Sequence, residues 1–149
     1  ADSNIVSRIG LKAKAISIHN EFRFYEYVKN IEYKNINCIF VDEAQFLTKE
    51  QVRDLSKISD KLDIPVMCYG IRTDFQGELF HGSSELLAIA DNLNELKTIC
   101  SECDKKATMV VRLDENGDVI LEGEKILVGG NEIYKTVCRK HFRELTNLI

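Results

Sequence analysis

The apolar positions of this chain follow two rhythms. Over 36–46, INCIFVDEAQF, four of the five residues from Cys38 to Asp42 are apolar and the run stops at two carboxylates, which predicts a strand buried on both faces. Before it, 13–18 (AKAISI) alternates weakly as a strand does. Residues 19–29 then place Phe22, Tyr25 or Tyr27, and Val28 at helical spacing behind Asn20 as a cap, giving a β then α unit. After it, 48–62 reads as an amphipathic helix with Thr48 as N-cap and Val52, Leu55, Ile58 and Leu62 on one face, stopped by Asp63 and Pro65. Residues 65–71 (PVMCYGI) make a third, nearly all-apolar strand. Units alternating in this way build a parallel sheet with helices on its faces, so the expected fold class is α/β.

The pattern changes after Ile71. Residues 72–82 (RTDFQGELFHG) are polar and aromatic with two glycines, the composition of a functional loop at the carboxyl end of a strand. A short helix is expected over 83–92, capped by Ser83 or Ser84, with Leu86, Leu87, Ile89 and Ala90 on it and Leu93 and Leu96 continuing its apolar face. Beyond Cys100, β-type runs at 108–113, 118–121 and 125–128 are separated by Asn116-Gly117, Gly123 and Gly129-Gly130. Asn116-Gly117 is a hairpin signal. The expected division is an α/β core over 1–97 and a small β-rich lobe over 98–149.

Chemistry enters where the strand at 36–42 ends. In open α/β sheets ligands sit outside the carboxyl ends of the strands, where a carboxylate can hold a hydrated Mg²⁺ or accept a proton. An apolar strand closing on Asp42 looks like a Walker B segment, although a plain strand-to-loop transition has the same form. Composition narrows the partners. With 20 Lys plus Arg against 24 Asp plus Glu and no long basic run, the chain is not built to coat nucleic acid, and a small molecule is the better partner. No apolar run is long enough to span a bilayer and ADSNIVSRIG does not read as a secretory signal, so a cytoplasmic protein is expected. Five cysteines is an odd count, and Cys38 and Cys68 lie inside apolar runs, which argues against a disulfide framework.

The other three cysteines form the sharpest local motif. Cys100 with Cys103 (CSEC) and Cys138 with His141 (CRKH) are two pairs with the same two-residue gap, bracketing the β-runs as the knuckles of a zinc ribbon bracket theirs. Two short loops that each offer two converging ligands satisfy a tetrahedral zinc without a large core. A redox CxxC or unrelated surface cysteines are the alternatives, and the surroundings of Ser101-Glu102 do not resemble a thioredoxin-like helix start. The expected metal is structural.

Taken together, FVDEAQF at 40–46, DFQGELF at 74–80, the two knuckles, and Gly129-Gly130 followed by Tyr134 and Cys138 resemble thymidine kinase of the type II class, from about residue 4 to the C-terminus. The resemblance implies a P-loop-NTPase-like core, a zinc-ribbon lasso lobe, and ATP-dependent phosphorylation of the thymidine 5′-hydroxyl. It further implies a cytosolic homotetramer inhibited by thymidine triphosphate. By the same resemblance Glu43 is the general base, and Asp42 holds Mg²⁺ through water with Gln45 beside it. Phe46, Ile71, Phe75 and Phe80 surround the base, and Ile126, Leu127, Val128, Gly129 and Tyr134 belong to the loop that folds over thymidine. Phe75 and Phe80 read equally well as anchors buried in the core. Arg112 aligns with a basic residue near the start of that loop, or is a solvated strand charge. His141 stands where some members have cysteine, and the stretch between Leu113 and Lys125 is longer than the vertebrate-type pattern.

One departure is large. The pattern GxxxxGK[ST] is not found in these 149 residues, so the expectation is that they belong to a longer protein and are, by themselves, inactive and poorly stable. Two other classes compete. A non-catalytic zinc-ribbon module predicts no nucleoside affinity, and another P-loop nucleoside kinase or ATPase predicts an unselective pocket.

Overall fold

The structure, a computed structural model, describes residues 2–7, 9–124 and 133–149. It opens on an antiparallel hairpin of β1 (Asp2–Val6) and β2 (Lys12–Ile16), with Val6 opposite Lys12. This corrects the expected β then α opening. The strand foreseen at 13–18 is there, shifted, but its partner DSNIV is too polar to announce itself and is held by backbone pairing.

α1 (Phe24–Lys29) is shorter than expected and Asn20 does not cap it. Arg23 occupies the N-cap position without a side-chain bond. The free N–H at that end is met from across the fold instead, where Asp54 accepts from the Tyr25 N–H at 2.8 Å and brings a negative charge to a helix start.

α2 (Lys49–Leu62) is the element the core gathers around. Thr48 starts it with a capping box, its hydroxyl accepting from the Gln51 N–H and its own N–H donating to Gln51 Oε1, both at 3.1 Å. Gln51 Nε2 then reaches the His19 carbonyl at 2.8 Å, so the same cap pins the segment ahead of α1. Val52, Leu55 and Ile58 form the buried stripe with Phe24, Val28, Val41, Ala44, Leu47 and Ile64. Asp63 in the left-handed region ends the helix ahead of Pro65.

β3 (Ile39–Val41) and β4 (Val66–Cys68) pair in parallel, with Val41 opposite Cys68. They are the one parallel pair among the described residues. Ile39, Val41, Val66 and Cys68 belong to the α2 core, whereas Phe40 is 67% exposed and Met67 46%. The expected burial on both faces is therefore corrected. Side chains alternate with period two, and only the face toward α2 is covered in this chain. The fold shown is mixed α/β.

α3 (His81–Ile89) begins behind Phe80, not at Ser83 or Ser84. Ser83 Oγ donates instead to the Ile71 carbonyl at 2.6 Å, tying the helix to the end of β4. The helix stops at Ile89, and Leu93 and Leu96 lie exposed beyond it. A second buried cluster then forms from Cys100, Val111, Leu113, Val137, Cys138 and Phe142. Its frame is β5 (Thr98–Ile99) paired with β6 (Lys106–Ala107), and β7 (Met109–Leu113) between β8 (Val119–Ile120) and β9 (Ile133–Val137), closed by α4 (Arg139–Thr146). The Asn116-Gly117 turn joins β7 to β8 as expected. Gly117 takes φ +87° and donates to the Asp114 carbonyl at 3.1 Å, while Asp114 Oδ1 accepts from the N–H groups of Asn116 and Asp118. The strand expected at 125–128 and the glycine pair after it lie outside the described residues.

Candidate active site and metal centre

Parallel pairing continues past the formal ends of β3 and β4. Tyr69 donates its N–H to the Val41 carbonyl and Ala44 donates to the Tyr69 carbonyl, both at 2.8 Å. Asp42 and Glu43 thus leave the sheet from a fixed edge. Glu43 has φ +52°, ψ +38°, a left-handed conformation that costs a residue with a Cβ on the order of 1–2 kcal/mol. Such strain persists where surrounding contacts hold it. Here the Glu43 N–H donates to Asp42 Oδ1 at 3.0 Å, and Gln45 Nε2 donates to the Glu43 carboxylate. Gln45 is buried, and its Oε1 accepts from the Ile71 N–H at 3.3 Å. One amide therefore orients a carboxylate while reading the backbone of the neighbouring strand.

The aromatic positions divide into two settings. Phe46 and Phe80 meet edge to face, with ring centroids 5.5 Å apart; Phe80 is buried and Phe46 partly exposed. Phe75 is buried at 1% exposure, with the Arg112 guanidinium 4.0 Å from its ring centre. Arg112 is itself buried, so its reading as a solvated strand charge is corrected. The loop carrying Phe75 is built by Asp74, whose Oδ1 accepts from the N–H groups of Gln76 and Glu78 at 2.9 and 3.0 Å. Ile71 and Tyr134 are part-exposed, and Ile126, Leu127, Val128 and Gly129 lie outside the described residues.

Sequence reasoning passed over two glycines on which this geometry depends. A Cβ on Gly82 would stand 2.4 Å from the Ala44 carbonyl oxygen, and one on Gly70 would stand 2.5 Å from Gln45 Oε1. Nothing local in the sequence marks such close approaches. Asp74 was legible in principle, since Asp three residues ahead of Gly is a turn signature.

In the lobe, Cys100, Cys103, Cys138 and His141 converge, with their ligand atoms all within 4.8 Å of one another. His141 Nδ1 lies 3.5 Å from Cys100 Sγ and 3.4 Å from Cys138 Sγ. Its Nε2 faces a Glu144 carboxylate oxygen at 3.7 Å, while Nδ1 is the ring nitrogen turned toward the sulfurs. Burial pushes the Cys100 thiol up, but the backbone N–H groups of Cys138 and Glu102, together with His141, outweigh it and bring it from 9.0 to about 6. The His141 backbone N–H lowers the Cys138 thiol, and the bond to Cys100 raises the His141 imidazole. For Cys103 a backbone bond from Lys105 pulls downward, but burial and the other two sulfurs leave the thiol raised. Three sulfurs and an imidazole at this spacing are a donor set that fits a tetrahedral metal ion.

These features define a mixed α/β protein with an acid-tipped parallel strand, an aromatic loop and a four-donor metal cluster. Comparison with known proteins places it further. The family model for thymidine kinase matches residues 1–142. The chain is 56% identical over 141 residues to a thymidine kinase of Shewanella oneidensis, covering 94% of this chain and 73% of that protein. It is 55% identical to one of Rhodopirellula baltica, covering 94% and 66%, and 53% identical to one of Mannheimia succiniciproducens, covering 95% and 73%. The chain belongs to the thymidine kinase family.

Proposed function

We propose that this chain carries the nucleoside side of an ATP-dependent kinase that phosphorylates the 5′-hydroxyl of thymidine. The observation that carries the reading is Glu43, held in a left-handed conformation at the end of β3 and gripped by Gln45, in a chain more than half identical to thymidine kinases over nearly its whole length. Asp63 and Asn147, the other non-glycine residues with positive φ among those described, end helices, whereas Glu43 follows a strand, and strain in that setting supports a functional role. In this reading Glu43 takes the proton from the 5′-hydroxyl. Asp42 would hold Mg²⁺ through water, and Gln45 keeps the base aimed. Bound Mg²⁺ would neutralise charge developing on the transferred phosphoryl group. Phe46 and Phe80, with Phe75 and Ile71, shape the wall for a flat pyrimidine. By the family resemblance Ile126, Leu127, Val128, Gly129 and Tyr134 contribute to thymidine binding.

The donor set of Cys100, Cys103, Cys138 and His141 suits Zn²⁺ in a closed structural site, because all four positions are filled by protein. Residues 1–97 then act as the core, with β3 and β4 as part of a P-loop-type sheet, and 98–149 as the lasso lobe. A cytoplasmic homotetramer inhibited by thymidine triphosphate belongs to the same reading. Among the described residues no helix is long and apolar enough to cross a membrane, which accords with it. A non-catalytic zinc-ribbon module would leave the strained Glu43 without a purpose, and a general P-loop ATPase or other nucleoside kinase has no need of the lobe.

Transfer of labelled phosphate from Mg-ATP by the natural protein, compared across thymidine, uridine and deoxycytidine, tests the reading. Selective transfer to thymidine that disappears in Glu43→Gln is expected. Transfer that is independent of the nucleoside, or undiminished in the variant, sinks it.

A further inference from the structure

The loop from Thr73 to Leu79 closes on itself. Thr73 and Leu79 pair as an antiparallel bridge, the Asp74 N–H donates to the Glu78 carbonyl at 2.8 Å, and the Gly77 N–H returns to the Asp74 carbonyl at 3.1 Å. With the two bonds into Asp74 Oδ1, the turn is braced as one body. Phe75 sits within it and Phe80 directly follows it, so the placing of both rings depends on what the turn rests on.

It rests on the lobe. Gly77 takes φ +81°, and a Cβ there would stand 3.2 Å from Met109 Cε and 3.3 and 3.4 Å from Phe142 Cζ and Cε1. Backbone angle and close approach together favour a residue without a side chain. Beside this contact Gln76 Nε2 donates to the Leu121 carbonyl at 3.0 Å and Arg72 Nη2 to the Thr108 carbonyl at 3.4 Å. Phe142 itself is at 0% exposure, in the same buried cluster as Cys100 and Cys138 and directly after His141 on α4. Its N–H donates to the Cys138 carbonyl at 2.9 Å, and its carbonyl accepts from the Thr146 hydroxyl at 2.7 Å. A ring held in a close-packed cluster has little freedom to shift, so the turn takes its position from the ring.

We propose that Phe142 is a positioning residue for nucleoside binding: its ring is the seat of the Gly77 turn, and through that turn it sets where Phe75 and Phe80 stand. This rests on the thymidine-kinase reading above, in which those two rings shape the pyrimidine wall. A seat of this kind pre-organises the wall, so less ordering is required when the nucleoside binds. Asp42, Glu43 and Gln45 lie on a separate stretch at the end of β3, and the seat therefore bears on binding and not on proton removal.

The test uses the natural zinc-loaded protein, with thymidine affinity from calorimetry and steady-state kinetics measured side by side. Phe142→Leu is expected to weaken thymidine binding and raise KM roughly 5–50-fold while kcat stays within about threefold, with zinc content unchanged. Gly77→Ala acts from the loop side, should move KM in the same direction, and carries the comparison if Phe142→Leu fails to fold. Combining the two should cost less affinity than the product of the single effects, because leucine withdraws the ring atoms that the new methyl meets. Unchanged thymidine affinity in the folded variants overturns the seat, as do a fall in kcat at constant KM and single effects that simply multiply. A natural protein that binds no thymidine overturns the kinase reading and the seat with it, which separates the two failures.

Discussion

Gly70 lies so close to Gln45 that a Cβ there would stand 2.5 Å from Gln45 Oε1 and 3.0 Å from its backbone nitrogen. The strand after Met67 must therefore pass the buried amide as bare backbone. Gln45 can then bond the Ile71 N–H on one side and the Glu43 carboxylate on the other. Gly70→Ala is predicted to push Gln45 aside, lowering stability by about 1–3 kcal/mol and reducing kcat more than it changes KM. Denaturant unfolding beside steady-state kinetics checks this, and a fully active Gly70→Ala protein would contradict it.

Glu43 offers a cleaner separation of stability from activity. Its left-handed backbone favours glycine, so Glu43→Gly should be more stable than Glu43→Ala by about 1 kcal/mol. Both should lose roughly 10²–10⁴-fold in phosphoryl transfer, as expected when a general base is removed. Melting curves of the two variants decide the first half, and equal stabilities would mean that the strain is relieved elsewhere.

At the start of α2, Thr48→Ala removes the acceptor for the Gln51 N–H and loosens the side chain that reaches His19. A loss of about 1 kcal/mol is expected, typical of a broken N-cap. Thr48→Ser should recover most of it. The readout is equilibrium unfolding, and an unchanged midpoint for the alanine variant would show that Gln51 alone holds the cap.

The cysteine cluster predicts a definite pH response. Because the Cys100 thiol is lowered in the folded chain, its contribution to folding is complete above pH 9.0 and is lost as pH falls through about 6. His141 works in the opposite sense: its imidazole is raised, so its contribution is present below 6.5 and disappears as pH rises past the raised value. A metal ion replaces these protons and needs the thiolates. Zinc should therefore stay bound near pH 8 and leave as pH falls toward about 5, with the lobe unfolding as it goes. Release into a chromogenic chelator, followed against circular dichroism, measures both; a lobe that keeps its structure after chelation would show that the metal is dispensable.

Local chemistry was the part most legible in sequence. The apolar run before Asp42 and Glu43 marked only a strand end and their roles came from the family resemblance, whereas each knuckle pair is three residues apart, so spacing alone marked the metal cluster. Asn116-Gly117 was legible for the same reason, since the left-handed turn needs a glycine at one position. What failed was what depends on distant neighbours. Phe40 is apolar whichever side of the sheet it occupies, so its exposure could not be read from its type. The cap of α1 comes from Asp54, 29 residues away, and the glycines at 70 and 82 answer to atoms on the 44–47 turn. Arg112 looked like any charged strand residue because its partner ring sits in another part of the fold.

In the metal cluster, Cys103 Sγ and Cys138 Sγ stand 3.9 Å apart. A bound ion keeps such sulfurs from one another by occupying their lone pairs. Without it, an oxidant finds two thiols that need move less than 2 Å to reach the ~2.05 Å of a covalent S–S bond. Chelation in air is then expected to trap the lobe in a cross-linked form that zinc cannot reclaim, whereas chelation under reductant stays reversible. Thiol titration before and after zinc is returned distinguishes them, and full recovery in air would exclude the trap. A zinc ion in this cluster would guard it against oxidation as much as brace it.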